Sequence, residues 1–177
     1  MTVVAIHLAS EHGAPVVPVA AAEARAGMGL EGDRHFFPDG EADAGEALTL
    51  VEEEVVGEVG LPPGATRRQV TVRGVRLNEL IGRRFRVGDV ECYGVEICEP
   101  CRTLERNTRP GIINDLVHRG GINADILSDG TISVGDEVTT VDSRASRRTD
   151  ESALGPLLTD DHLVAVGIQH ATDALAP

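Results

Sequence analysis

The stretch Phe85-Arg86-Val87-Gly88-Asp89-Val90 alternates apolar and charged side chains and then breaks at a Gly-Asp pair. A second stretch, Ile132-Ser133-Val134-Gly135-Asp136-Glu137, repeats this pattern later in the chain. Alternation is typical of strands, and Gly-Asp between two β-forming runs is a turn signal. We therefore expect two equivalent corners of a curled antiparallel sheet.

The rest of the chain adds further strands and a few short helices. Runs of β-branched residues predict strands at 3–9, 70–72 and 122–127. The Ala-rich residues 19–27 predict a short helix, and residues 101–117 predict two helices, with Gly120 as the left-handed cap. The predicted fold class is mainly β with peripheral helices (α+β), with a curled or barrel-like sheet.

The composition divides the chain into three parts. Residues 1–141 have the length and apolar content of one domain. Residues 142–152 are Ser, Arg, Asp and Glu with almost nothing to bury, which is typical of a polar linker. Residues 153–177 are apolar enough to form a helical appendage.

Charge and composition exclude several functions. The formal net charge of -13 repels a polyphosphate backbone, so we expect no nucleic-acid partner. All 16 basic residues are Arg, which excludes Schiff-base chemistry on lysine. No stretch is apolar enough to predict a membrane span or a signal peptide, and three cysteines do not form a paired framework. We expect a cytoplasmic protein.

The motif Cys98-Glu99-Pro100-Cys101 allows three kinds of site. Structural zinc needs more ligands than one such pair supplies, and a thioredoxin-like redox pair belongs to a βαβ pattern that is not predicted here. The third alternative is a single thiolate, acting as nucleophile or soft metal ligand. Pro100 and the helix start that follows favour Cys101 for that role, helped by the arginines of the helix. Cys92 is expected to be a small buried hydrophobic residue.

Three further stretches suggest an anion site. The loop Gly32-Asp33-Arg34-His35 offers a cation and, by expectation, free backbone N–H groups. The pair Arg67-Arg68 precedes a predicted strand, and Arg67 could grip a phosphate while Arg68, if it faces solvent, would not. Arg119-Gly120-Gly121 suits either a close backbone approach or a helix cap.

Taken in order, these pieces resemble the MOSC family, named for the C-terminal domain of molybdenum cofactor sulfurase. The resemblance covers roughly residues 1–141 and is closest to the small stand-alone bacterial members. Its matching pieces are Gly29-Leu30-Glu31-Gly32-Asp33-Arg34-His35, Arg67-Arg68-Gln69-Val70, Leu77-Asn78, Cys98-Glu99-Pro100-Cys101, Arg119-Gly120-Gly121 and Ile132-Ser133-Val134-Gly135-Asp136.

The resemblance implies a molybdenum-pterin cofactor with the Cys101 thiolate as metal ligand and Cys98 beside it. It also places Gln69 where the family has an Asn, a change that keeps the amide and lengthens the side chain. We expect Asp33, Arg34, His35, Arg67 and Cys101 to converge on one pocket. The cofactor-binding residues implied are Asp33, Arg34, His35, Arg67, Gln69, Asn78 and Arg119.

Three functions follow from the resemblance. The first is reduction of small N-hydroxylated or N-oxygenated compounds, with electrons from a donor protein. The second is a sulfur carrier or sulfurtransferase, with a persulfide on Cys101, Cys98 as resolving thiol and a sulfur-donor protein. The third is a non-catalytic module that binds the cofactor.

Overall fold

The computed structural model describes residues 1–40 and 42–141. The predicted linker and appendage, 142–152 and 153–177, lie outside the described residues. The helices are α1 (Glu53–Glu58), α2 (Arg102–Asn107), α3 (Ile112–Leu116) and a 3₁₀ turn at Leu77–Leu80. The strands are β1 (Thr2–Leu8), β2 (Val17–Val19), β3 (Ala21–Arg25), β4 (Gly29–Leu30), β5 (Leu48–Glu52), β6 (Val70–Arg73), β7 (Arg84–Val87), β8 (Val90–Ile97), β9 (Ile122–Ile126), β10 (Gly130–Ser133) and β11 (Val138–Thr140).

Eight strands form one sheet in the order β11-β7-β8-β9-β5-β6-β1-β2. Every neighbouring pair is antiparallel except β5 and β6, which are parallel and are joined through α1. A parallel pair needs a crossover, and the short helix supplies it. The mainly β prediction is thus confirmed.

This sheet curls until strands near its two edges meet. The N–H of Val138, on the edge strand β11, donates to the carbonyl of Met1 at 3.0 Å. Thr2 on β1 also forms a bridge with Glu137. Five strands lie between β11 and β1 in the pairing order, so only a strongly curled sheet brings them together. The result is a half-barrel, which confirms the predicted curled or barrel-like sheet.

The Ala-rich residues 19–27 contain a strand where a helix was expected, so that prediction is wrong. Residues Ala21–Arg25 form β3, which lies between β10 and β4 in a second, three-stranded sheet. Ala22 and Ala24 are buried and Glu23 is exposed. This period of two places both alanines in the core, and pairing with β10 outweighs the helix propensity of alanine.

The two Gly-Asp turns are neighbours but are not equivalent. Gly88-Asp89 closes the hairpin of β7 and β8, as predicted. Gly135-Asp136 instead carries the chain from the three-stranded sheet to β11 of the large sheet. The two turns touch, because the N–H of Gly88 donates to the carbonyl of Glu137 at 2.8 Å.

The helices are peripheral and have a small core of their own. The main core fills the curled sheet, and its largest fully buried side chain is Phe85. A separate cluster of Val55, Leu104, Ile112 and Leu116 packs α1, α2 and α3 together. Within residues 1–40 and 42–141, none of the helices has the length and apolar character needed to span a bilayer.

Candidate functional site

The cysteine motif lies where the sheet gives way to the helices. Strand β8 ends at Ile97, and α2 begins at Arg102 with Cys101 in the capping position before it, so the predicted helix start is confirmed. Cys101 is exposed and Cys98 half-buried, whereas Cys92 is buried within β8. Solvent therefore reaches Cys101 most readily.

The surroundings of Cys101 favour its thiolate. Partial burial acts to raise the pKa of this thiol, but the backbone N–H groups of Leu104 and Thr103 and the charge of Arg68 together outweigh it. The net effect is a pKa below the ordinary value for a thiol. The charge that acts here comes from Arg68, before β6, and not from the arginines of α2 from which it was expected.

Burial makes the other two thiols less acidic. It raises the pKa of Cys92 to about 12, and Cys92 is fully buried in the main core. Burial also raises the pKa of Cys98, although the charge of Arg68 opposes it. The prediction that Cys92 is a buried hydrophobic residue is confirmed.

The loop of residues 32–35 is built around the buried side chain of Asp33. The Asp33 carboxylate accepts hydrogen bonds from the backbone N–H groups of Ala9 and His35, both at 3.0 Å. It also accepts one from Nε2 of Gln69 at 2.8 Å. A carboxylate with these partners is satisfied within the protein, so Asp33 anchors the loop.

The backbone of this loop is closed to an anion. The N–H groups of residues 33–37 donate to backbone carbonyls or, for His35, to the Asp33 carboxylate. The expectation of free N–H groups is therefore wrong, because the turn itself uses them. What the loop still offers is the guanidinium of Arg34, whose Nη2 donates to the carbonyl of Arg67 at 3.2 Å.

Gln69 holds this loop through a side-chain hydrogen bond to Asp33. Its side chain is fully buried, and Oε1 accepts hydrogen bonds from the backbone N–H and the hydroxyl of Thr49, at 2.7 and 3.0 Å. Its Nε2 holds Asp33. The resemblance implies that this residue helps to hold a phosphate, whereas both ends of the amide have partners within the fold.

Arg67 is held in the left-handed conformation, with φ of 59°. This backbone costs on the order of 1–3 kcal/mol for a residue with a Cβ and is found mainly where the surroundings demand it. Nη1 of Arg67 donates to the carbonyl of Ala14 at 2.7 Å. The side chain thereby borders a cleft of about 440 Å³, lined by Gly13, Ala14, Pro15, Val16, Gly64, Ala65, Arg67 and Asn107.

The cleft and the reactive thiol lie at the two ends of α2. Asn107, the last residue of α2, lines the cleft, and Cys101 precedes the first. A helix of this length spans about 9 Å. The cleft volume falls within the roughly 300–1,000 Å³ usual for small-molecule sites.

Arg68 is half-buried, and its guanidinium is bound within the protein. Its Nε donates to the carbonyl of Gly120 at 3.1 Å, and its Nη2 donates to those of Cys98 and Glu99 at 3.1 and 3.4 Å. It is therefore bound to the cysteine motif, so the condition that Arg68 faces solvent is not met. Sequence reasoning missed this contact because its acceptors are backbone carbonyls, which no residue pattern marks.

Arg34, Arg67 and Arg68 form a positive cluster. Burial lowers the pKa of Arg34, Asp33 opposes this, and the charges of Arg67 and Arg68 lower it further. The side chain of Arg34 is only 10% exposed. Cations that repel one another in partial burial favour a bound anion. In a chain at -13 this cluster is a local exception.

Arg119 belongs to a different surface. Its Nη2 pairs with Glu58 at 3.0 Å, and it borders a separate cavity of about 420 Å³ between α1 and α3. Gly120, which follows it, has no positive φ, so its prediction as the left-handed cap is wrong; His118 has that conformation instead, with φ of 60°. Gly120 serves close approach, since a Cβ there would lie 2.6 Å from the carbonyl oxygen of Cys98.

Asn78 and His35 bear on the site only indirectly. Nδ2 of Asn78 donates to the carbonyl of His118 at 2.9 Å. The N–H and the ring of His118 contact the Glu99 carboxylate at 3.0 and 2.7 Å. His35 packs edge-on against His12, with ring centroids 5.5 Å apart. Neither Asn78 nor His35 is among the described residues that line the cleft of Arg67.

The predicted site residues thus fall into two groups. Of the five residues expected in one pocket, only Arg67 lines the cleft. Direct contacts join Asp33 to Gln69 and Arg34 to Arg67, and Arg68 bonds to Cys98 and acts on Cys101 by its charge. Asn78 reaches the cysteine motif only through His118, and Arg119 lies elsewhere. In the described part of the chain, no three His, Cys, Asp or Glu side chains are placed to hold a metal ion by themselves. What the arrangement provides is one accessible thiolate beside a set of arginines.

The fold is shared with solved bacterial proteins. The YuaD protein from Bacillus subtilis superimposes with a TM-score of 0.60 at 19% identity, over 79% of this chain and 96% of that one. YiiM from Escherichia coli gives 0.56 at 18% identity, over 80% of this chain and 70% of that one. YiiM from Geobacillus stearothermophilus gives 0.56 at 16% identity, over 80% and 75%.

Sequence comparison identifies the family. A search of curated proteins gives no match. The family model for the MOSC domain matches residues 42–139, which is more than half of the chain and includes β5 to β10, most of β11 and the cysteine motif. The chain belongs to the MOSC domain family.

Proposed function

We propose that this protein binds a molybdenum-pterin cofactor, with Cys101 as the metal ligand, and reduces small N-hydroxylated or N-oxygenated compounds. The observation that carries the proposal is the exposed Cys101, the most acidic thiol of the chain, placed next to an arginine cluster in a MOSC fold.

The Cys101 thiolate fits the metal of this cofactor. A thiolate is a soft ligand, suited to a thiophilic metal. Cys101 offers one thiolate, and among residues 1–40 and 42–141 no carboxylate or imidazole completes a site with it, which agrees with a metal whose other ligands arrive with its cofactor. Cys98 is half-buried and burial raises its pKa, which makes it the weaker candidate for the ligand.

The cleft bordered by Arg67 fits the phosphate of this cofactor. A phosphate is best held by planar guanidinium groups, which can donate two hydrogen bonds at once. Arg67 borders the cleft and has donors left beyond its single bond to Ala14. Arg34 lies against the Arg67 backbone and adds its charge. These two arginines would hold the phosphate, and Gln69 and Asp33 would keep Arg34 in place.

The protein's part in the reaction is placement. When bound, the cofactor would supply the two-electron redox chemistry that cleaves an N–O bond. The residues described here would fix its metal end through Cys101 and its anionic end through Arg67, leaving the exposed side of Cys101 open to a small substrate. Electrons would come from a donor protein.

The test is turnover of hydroxylamine compounds with a reduced viologen dye as electron donor. Wild-type protein made in a molybdenum-supplied host should oxidise the dye in the presence of an N-hydroxylated substrate. Cys101→Ser should abolish this activity, whereas the matched control Cys92→Ser should retain it because Cys92 lies in the core. A Cys101→Ser variant as active as wild type would refute the proposal.

A sulfur carrier is the second candidate, and the position of Cys98 favours it. The two thiols are close enough for the charge on one to affect the other, so Cys98 could resolve a persulfide on Cys101. Sulfane sulfur released by cyanide from protein without molybdenum would support this alternative. Bound cofactor with no turnover of any hydroxylamine would indicate a non-catalytic binding module.

A further inference from the structure

Residues 98–120 leave the sheet after β8 and return to it at β9, carrying the two cysteines of the motif with α2 and α3. We call this segment the cysteine excursion. Its two ends meet: the N–H of Cys98 donates to the carbonyl of Gly121 at 2.8 Å. Gly120 lies so close that a Cβ would be 2.6 Å from the carbonyl oxygen of Cys98.

Arg68 bonds to both ends at once. Its Nε reaches Gly120 at the end of the excursion, and its Nη2 reaches Cys98 and Glu99 at the beginning. A third nitrogen, Nη1, faces the carbonyl of Thr66 at 3.5 Å, on the stretch of chain that carries Arg68 itself. One planar side chain thus joins three chain segments through their carbonyls.

We infer that Arg68 is a positioning residue that holds the two ends of the cysteine excursion together and so fixes where Cys101 stands. The planar guanidinium can do this because it holds several N–H donors in a fixed geometry. Its Nε and Nη2 thereby donate to the carbonyls of two segments that are more than 20 residues apart in sequence. The inference rests on the proposed function only in taking Cys101 as the functional thiol.

The test is single-residue hydrogen exchange, read by NMR, on the metal-free protein. In Arg68→Gln the amide of Cys98, bonded to Gly121, should exchange roughly tenfold to a hundredfold faster, because two charge-assisted bonds that hold it in place are lost. The amide of His7, which donates to the neighbouring Gln69 carbonyl, should not change. Arg102→Gln, an exposed arginine at the start of α2, is the matched control and should behave as wild type.

Arg68→Lys separates positioning from charge. Lysine keeps the positive charge but has no fork, so the Cys98 amide should still exchange faster than in wild type. In the same variants, the alkylation rate of Cys98 should rise relative to that of Cys101. Cys92 should stay unlabelled, which reports that the core is still folded. Alkylation of Cys92 in Arg68→Gln would mean that this variant is unfolded. The amide exchange of Arg68→Lys would then decide whether the inference holds.

Two results would overturn the inference: exchange in Arg68→Lys equal to wild type, or a uniform rise at all amides including His7. Neither result depends on molybdenum. A protein that binds no metal but shows the expected local exchange would contradict the proposed function alone.

Discussion

The sequence predicts that the loop of residues 32–35 and the motif of residues 98–101 are both parts of a ligand site, but in the structure the two have different roles. In the loop, the Asp33 carboxylate and the backbone N–H groups are used by the fold, and the Arg34 guanidinium lies 3.7 Å from that carboxylate with only 10% of its side chain exposed. In the motif, Cys101 is left exposed at the start of a helix.

The difference shows that residue type alone does not distinguish a residue that stabilises the fold from one that reacts with a ligand. A buried carboxylate with three donors stabilises the fold, and its loss is felt mainly as instability. An exposed thiol contributes little to stability, and its loss is felt as lost chemistry. Each of the following experiments sharpens or breaks this comparison.

The largest effect is expected for Asp33→Ala. The change leaves three buried donors, on Ala9, His35 and Gln69, without an acceptor, and we expect the free energy of unfolding to fall by about 4 kcal/mol. Urea denaturation measures it. The control Glu31→Ala removes only an exposed ion pair with Arg25 and should cost less than about 1 kcal/mol. Equal losses in the two variants would contradict the anchoring role of Asp33.

Gly32 of the loop and Gly121, whose carbonyl accepts from the N–H of Cys98, give the next comparison. Gly121 has φ of 106°, and a Cβ there would lie 2.0 Å from the carbonyl oxygen of Leu50, so Gly121→Ala should destabilise by about 3 kcal/mol. Gly32 has φ of 82° with nothing within 4 Å of its Cβ position. Gly32→Ala should cost about 1 kcal/mol, for the backbone alone. Thermal unfolding ranks the two, and the reverse order would refute the close approach at Gly121.

Arg67 tests whether the cleft holds an anion. Arg67→Ala should weaken retention of the cofactor about tenfold to a hundredfold, the worth of a charge-assisted pair of roughly 1.5–3 kcal/mol. Arg67→Lys should restore only part of the loss. Retention is read as molybdenum left per chain after gel filtration. Arg76→Ala, at an arginine whose side chain is 85% exposed, is the control, and the same loss there would remove Arg67 from the site.

The smallest effect concerns the rates at which the thiols react. Because its pKa is lowered, Cys101 should show an alkylation rate that rises with pH at a midpoint below that of an ordinary thiol, near 8.5. The midpoint for Cys98 should lie above that value, and Cys92, with a pKa of about 12, should not react while the protein is folded. Iodoacetamide labelling followed by peptide mapping gives the order. Labelling of Cys98 before Cys101 would reverse the comparison.

The sequence predicted the fold well where the local pattern and the tertiary pairing agree. The hairpin at Gly88-Asp89 and the helix start after Cys101 are examples. It failed at Ala21–Arg25, where alanine content favoured a helix; the alternation of Ala22, Glu23 and Ala24 was the signal for a strand.

The site was less predictable because its key contacts are made by backbone atoms. Cys101 could be chosen from its motif, since proline and a helix start act locally. The role of Arg68 could not, because its acceptors at Cys98 and Gly120 lie 30 and 52 residues away in sequence. Gln69 was assigned from family position, whereas the structure pairs its amide with Thr49 and Asp33.

The most direct test of the central claim, that Cys101 is the functional thiol, is the molybdenum content of a matched set of cysteine variants. Wild type, Cys92→Ser, Cys98→Ser and Cys101→Ser would be produced in the same molybdenum-supplied host and measured by mass spectrometry of the metal per folded chain. We predict near-stoichiometric molybdenum in wild type and Cys92→Ser, and almost none in Cys101→Ser. Molybdenum retained in full by Cys101→Ser, or lost from Cys98→Ser alone, would contradict the account.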